Sequence, residues 1–151
     1  MYKQMLKIII IILFIFPIEK VFSEDEIFKT LRNDKVNLRQ GPSFDYPIKI
    51  IYKKKFLPVL IQDTSDNFRK IKDHENNSGW IHISQLSKKK AAIVIDDESI
   101  MFNASTVYSN PIAVLKKGRL VKIKKCKENW CKGVSGDFKG WVKKESLWGL
   151  L

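Results

Sequence analysis

Two phrases built on one pattern, sixty-one residues apart, limit what this chain can become more than any other feature of it. "SGWIHISQL" occupies residues 78–86 and "KGWVKKESL" occupies residues 139–147. In each, a Gly-Trp pair precedes an apolar residue, and a Leu falls six positions after the Trp. The match extends upstream: Phe68 in "DNFRK" stands twelve residues before Trp80, and Trp130 in "ENWCK" eleven before Trp141. Pro47-Ile48 likewise lies opposite Pro111-Ile112. A period of 61–64 residues is long for a solenoid and suits two tandem small domains.

Within each copy the signals are those of β structure. "IIYKKKFLPVLIQD" (residues 50–63) and "VLKKGRLVKIKKC" (114–126) mix β-branched residues with Lys, and from Leu120 to Lys125 the pattern changes face at every residue. Turn chemistry bounds these runs at Gly41-Pro42, 63–67, Asn76-Asn77, Gly118 and Gly136-Asp137. Short strands at such spacing predict a small barrel or sandwich. Residues 24–34 suit either a leading strand or a short helical turn, and a last helical turn is expected at "SQL" and "ESL". Trp80 and Ile81 must face opposite sides, as must Trp141 and Val142, with one member of each pair in the core. The Gly before each Trp suits a tight turn, where a positive φ costs it nothing. "AAIVI" (91–95) predicts a strand shared at the junction, which would make a fixed pair of domains: 24–95 and 96–151.

The first 23 residues predict a secretory signal peptide. Lys3 and Lys7 precede nine apolar residues from Ile8 to Phe16, Pro17 ends the run, and Val21 and Ser23 suit cleavage after Ser23. The run is too short to span a bilayer, which needs roughly 20 apolar residues. Contact with a membrane is therefore expected only through this segment, and a periplasmic or secreted location follows. Its removal takes away three Lys and one Glu, leaving 25 basic and 15 acidic residues, a net +10. Such a charge favours anionic partners, and export favours cell-wall polymer or lipid headgroups over nucleic acid.

Cys126 and Cys131 flank "KENW". Zinc needs four ligands, and the chain has only two histidines, both far upstream. In an oxidising compartment the pair predicts a disulfide across a tight hairpin. An oxidised pair leaves no thiolate for catalysis, and no other acid–base constellation stands out. No enzyme activity, metal or cofactor is expected.

Residues 34–94 closely resemble the bacterial SH3-like (Src-homology-3-like) domains of exported proteins. The carrying stretches are "VNLRQGPSFDYP" (36–47), "NFRKI" (67–71) and "GWIHISQLS" (79–87). The second half, 98–149, resembles the second domain of the subgroup found in Gram-negative envelope proteins, through "NWCK", "KGWV" and a terminal "LWG". The resemblance implies an all-β chain of two tandem small SH3-like barrels following the signal peptide. It departs from that subgroup in three places. Phe68 stands where a Trp is usual. Gly133 stands where Ile71 sits in the first copy, so that either a bulge turns Val134 inward or the second barrel is looser. "MFNASTVYSNP" (101–111) lacks the Arg and Gly-Pro of the first loop, so a ligand needing that loop would meet the first domain only.

What the resemblance implies is a non-catalytic module that recognises peptidoglycan or its peptides, acting as a monomer. The candidate surface is Arg39, Phe44, Asp45 and Tyr46 together with Trp80 and His82. Aromatic rings would stack on sugar or peptide, while basic groups meet carboxylates. Arg39 has a rival role, pairing with Asp45 to stiffen its own loop, and Phe44 and Tyr46 have one as loop core. Trp80 has one as a structural residue, since both copies contain it. The alternative function is a periplasmic protein–protein scaffold with no glycan affinity.

Overall fold

A computed structural model describes residues 28–151; the expected signal peptide and its cleavage point lie outside the described residues. Fourteen strands form two seven-stranded antiparallel sheets. The first holds β1 (Phe28–Leu31), β2 (Val36–Arg39), β3 (Ile48–Tyr52), β4 (Pro58–Ser65), β5 (Phe68–Lys72), β6 (Ser78–His82) and β7 (Leu86–Ser87). The second holds β8 (Ala91–Val94), β9 (Glu98–Phe102), β10 (Pro111–Lys116), β11 (Leu120–Lys127), β12 (Trp130–Ser135), β13 (Phe138–Lys143) and β14 (Leu147–Leu150). Strand order is β3-β2-β6-β5-β4-β1-β7 in one and β10-β9-β13-β12-β11-β8-β14 in the other, the same topology repeated. Single 3₁₀ turns at Ile83–Gln85 and Lys144–Ser146 precede the last strand of each, at the two expected places.

The period-2 alternation sorts the side chains as expected. Ile81 and Val142 are fully buried, so the residue after each Trp is the core member, while Trp80 and Trp141 lie half-buried on the outer face. The first core gathers Leu31, Val36, Leu38, Val59, Ile71 and Ile81, and the second Val94, Met101, Leu115, Val121, Cys131 and Val142.

The glycine before each Trp is not a turn residue. Gly79 and Gly140 sit buried within β6 and β13, and neither has the positive φ seen at Gly118, Gly136 and Gly149. What these positions lack is room: a Cβ on Gly79 would fall 2.6 Å from the Arg39 carbonyl oxygen, and one on Gly140 2.5 Å from that of Phe102. The neighbouring strand crosses directly over the glycine. Gly133 follows the same logic. It faces inward opposite Gly140, and a Cβ there would fall 2.6 Å from a Val121 methyl. Val121 fills the space, and Val134 stays on the outer face.

The strand at Ala91–Val94 divides its loyalties differently from the expectation. It belongs to the second sheet, paired with β11 and β14, so the ladder breaks at residues 88–90 and not after Ile95. β8 is the second copy's equivalent of β1, which the offset alignment of the two phrases could not show. Yet Ile93, fully buried, packs into the first barrel's core, joined by Leu120. Around it β14 lies against β1 and β4. The Phe28 and Trp148 rings meet edge to face at 5.1 Å, and Gly149, at φ +146°, brings its backbone close enough to Pro58 that a Cβ would fall 2.8 Å from it. Buried Thr30 ties down the connection by donating its hydroxyl to the Lys89 carbonyl at 2.8 Å. The two barrels form a fixed pair through side chains, without a shared strand.

The β5–β6 turn is organised by one carboxylate. Asp73 is 2% exposed. Its Oδ1 accepts the backbone N–H groups of Glu75 and Asn77 at 2.9 and 2.8 Å, and its Oδ2 accepts the Tyr52 hydroxyl and the Asn77 amide, both at 2.9 Å. Burial, then the hydrogen bond to Asp73 and its charge, push the Tyr52 hydroxyl well above the ordinary tyrosine value. The folded state therefore keeps a proton that the unfolded state releases, so this group's contribution to stability is complete below about pH 10 and falls as the pH rises above it. Tyr52→Phe is expected to cost about 1–3 kcal/mol at pH 7 by leaving a buried oxygen short of a donor. It should also remove this part of the alkaline decline. Urea unfolding of both proteins between neutral and strongly alkaline pH checks both effects.

Candidate ligand-binding face

The outer face of β2, β6 and β5 collects most of the residues singled out in the sequence. Arg39 on β2 pairs in register with Trp80 on β6, which pairs with Lys70 on β5. One residue pair further along, His82 pairs with Phe68. Trp80 and His82, two apart on one strand, share this face.

The loop between β2 and β3 folds down onto it. Arg39 holds the loop: its Nη1 donates to the carbonyls of Phe44 and Tyr46 at 3.0 and 2.8 Å, and its guanidinium lies 5.4 Å from the Phe44 ring centroid. The expected Arg39–Asp45 pair does not form. Asp45 turns back to Ser43 instead, accepting its hydroxyl at 3.1 Å, while Arg39 Nη1 is taken by the two carbonyls. The Tyr46 ring packs over Gly41, where a Cβ would fall 2.5 Å from it, yet the side chain remains 47% exposed.

Phe44, Phe68 and His82 form a three-ring cluster with centroids 5.1–5.2 Å apart. Phe44 is 60% exposed at its summit and Phe68 is buried beneath. His82 is held from the other side: its Nδ1 lies 2.7 Å from the Ser84 hydroxyl and accepts the Ser84 N–H at 3.3 Å, capping the 3₁₀ turn. Phe68 belongs to the site although sequence reasoning assigned it only a hydrophobic position. Its place on β5, in step with the outward Lys70 and not the inward Ile71, was the available signal. Exposed Phe44 and Tyr46, with half-buried Trp80 and His82, thus surround an Arg-braced loop, a surface able to stack planar or CH-rich faces and to hydrogen-bond at its rim.

A concavity of about 1150 Å³ lies elsewhere, between β4 and the first 3₁₀ turn, and includes none of the six expected residues. Its two arginines are occupied: Arg32 donates to the Leu86 carbonyl, Arg69 to those of Asp66 and Phe68.

The second barrel repeats the frame with other chemistry. Trp141 pairs with Phe102 on β9, where the first barrel has Arg39, and Trp130 occupies the Phe68 position, its ring edge to face with Phe102 at 5.6 Å. The loop between β9 and β10 has no guanidinium brace, and Tyr108 stands at its tip 95% exposed. Cys126 and Cys131 face each other across the β11–β12 hairpin and are joined by a disulfide, with Cα atoms 4.0 Å apart. Among the described residues no cluster of three metal-ligating side chains occurs.

No protein with a curated description matches the chain. Among solved structures, NlpC2 from Trichomonas vaginalis is similar over 84% of this chain at 11% identity and a TM-score of 0.38. An NlpC/P60 family protein from Bacillus cereus is similar over 80% at 9% identity and a TM-score of 0.38. The chain spans about half the length of each, 49% and 55%. The sequence profile of the bacterial SH3 domain matches twice, at residues 32–88 and 96–149, one match to each sheet. With these two matches taking in most of its length, the chain belongs to the bacterial SH3 domain family.

Proposed function

We propose that this chain is an exported, non-catalytic binding module of the cell envelope that recognises peptidoglycan or its peptides through the first barrel. The observation that carries this reading is the exposed Phe44, seated on Phe68 and His82 beside Trp80 and fixed by an arginine spent on its loop's own carbonyls. A braced aromatic surface loses little entropy on binding, which suits recognition of a repetitive, weakly featured polymer. The disulfide holds both cysteine sulfurs, and His82 caps its 3₁₀ turn through Nδ1. The protein acts as a monomer, without cofactor or nucleic acid.

The test is co-sedimentation of residues 24–151 with purified sacculi across a salt series. Retention is expected to persist at about 0.15 M salt, where bare charge attraction is screened beyond about 8 Å. It should fall about 5- to 30-fold in Phe44→Ala and in Trp80→Ala, in line with the loss of roughly 1–2 kcal/mol per stacked aromatic, with folding verified by circular dichroism. A protein–protein scaffold without glycan affinity is the second reading, favoured by the projecting Tyr108. Loss of all retention at that salt concentration would select it.

A further inference from the structure

The outer face of β11, β12 and β13 carries a charge arrangement that the first barrel lacks. Three cross-strand rows define it. Lys122, Val134 and Lys139 form the first; Lys125, Lys132 and Trp141 the second; Lys127, Trp130 and Lys143 the third. The alternate positions, Val121, Ile123, Cys131, Gly133, Gly140 and Val142, are buried beneath, so these nine residues face outward together. Six of them are lysines. The equivalent rows of the first barrel are Leu60, Lys72 and Ser78; Asp63, Lys70 and Trp80; Ser65, Phe68 and His82, with two lysines and one acid.

The lysines are largely unneutralised. Of the six, only Lys143 reaches a carboxylate among the described residues, Glu145 at 3.3 Å. Glu128 and Asp137 stand at the hairpin tips, off the ladder. The Lys125 and Lys132 ammonium groups sit 5.8 and 5.7 Å from the Trp141 ring centroid, a weak substitute for a counter-charge. The patch continues across the joint: Lys122 lies 5.5 Å from the Phe56 ring centroid of the first barrel, where Lys55 and Lys89 also converge at 5.5 and 5.7 Å.

We infer that this face docks the protein on an anionic phospholipid bilayer, with Trp130 and Trp141 at the level of the headgroups. Charge complementarity selects an anionic occupant, and composition selects the kind. The nine positions include no Asn, Gln, Asp or Glu, the side chains that most readily hydrogen-bond sugar hydroxyls. What they offer is positive charge on long flexible stems and two amphipathic indoles, which is what a charged lipid interface rewards. The inference extends beyond the expectation that only the N-terminal segment meets a membrane, and it does not depend on what the first barrel binds.

The test uses residues 24–151, the chain left by the expected cleavage, which contains every described strand. Binding is measured by co-sedimentation with phosphatidylcholine vesicles, with and without one-third phosphatidylglycerol. Retention is expected on the anionic vesicles only. The triple variant Lys125→Gln/Lys132→Gln/Lys139→Gln should bind about 100-fold more weakly, about fivefold per lysine. The triple variant Lys35→Gln/Lys49→Gln/Lys53→Gln, equal in charge but outside the face, should stay within about threefold of the parent. Anionic vesicles should also shift tryptophan emission to the blue, and Trp130→Phe/Trp141→Phe should lose that shift. Equal weakening in the two triple variants would show attraction by net charge alone and overturn the inference. So would comparable binding to neutral vesicles, or the same blue shift with soluble dextran sulfate, which would make the occupant a polyanion in solution. Sacculus retention of the two lysine variants, measured in parallel, keeps a failure here separate from a failure of the first-barrel reading.

Discussion

Gly140→Ala is expected to cost about 3 kcal/mol, at the upper end of overpacking penalties, and Gly79→Ala a similar amount. The added methyl would stand 2.5–2.6 Å from a carbonyl oxygen of the crossing strand, and backbone cannot swing aside as a side-chain end can. To relieve the clash β13 must draw away from β9, or β6 from β2, which weakens the Phe102–Trp141 or the Arg39–Trp80 pairing. Gly118→Ala supplies the contrast. That glycine has φ +77° and open space around it, so its substitution incurs only the left-handed backbone penalty of about 1 kcal/mol. Chemical denaturation of the three variants ranks them. Should Gly118→Ala prove the most damaging, the crossing-strand explanation fails. A loss of about 3 kcal/mol is serious for a chain of this size, whose total stability is on the order of 0.05–0.15 kcal/mol per residue.

The second large effect is expected at Ile93. Ile93→Ala should cost about 2–5 kcal/mol, as for a fully buried large-to-small change, but its distinguishing result is where the loss appears. The residue is hydrogen-bonded into the second sheet, opposite Leu120 and Trp148, while its side chain fills the first core. Amide exchange should therefore accelerate in β5 of the first barrel as well as in β12 of the second, and the two should unfold together in the parent protein. Val142→Ala, deep in the second core alone, should loosen β12 without a matching effect on β5. Faster exchange confined to the second barrel in Ile93→Ala would show that the joint carries no energetic coupling.

Much of this architecture was legible as alternation and repetition. Alternating β-branched and charged residues fixed which side of β11 faces in, and the doubled Gly-Trp-apolar phrase announced two copies of one fold. The cysteine spacing pointed to the hairpin that the disulfide closes. What escaped was chemistry between segments distant in sequence. Nothing local to Gly79 reveals that Arg39 crosses over it, so a turn was the natural expectation for glycine. The first four residues of "AAIVI" are apolar because they are buried on both sides, once by their own sheet and once by the neighbouring barrel, and hydrophobicity alone does not say which partner supplies the hydrogen bonds. For Arg39 type and proximity offered Asp45 as a rival to ligand, whereas two backbone carbonyls, invisible to any residue-type argument, hold it. The lysines of the second barrel read as scattered runs until strand register gathered six of them on one face.

The side-chain joint between the barrels would also govern the avidity of the two proposed faces. A flexible tether would let the second site search a volume, with an effective concentration tuned by tether length. Here Ile93 is buried in the neighbour's core, Leu120 packs against it and Trp148 meets Phe28 edge to face, so the two proposed faces are presented at one separation and one angle. Two ligands that match that spacing gain the full multivalent advantage, and two that do not gain none. Lengthening the connection at 88–90 would leave this geometry unchanged as long as the apolar joint holds, so the protein measures distance like a caliper locked at one opening.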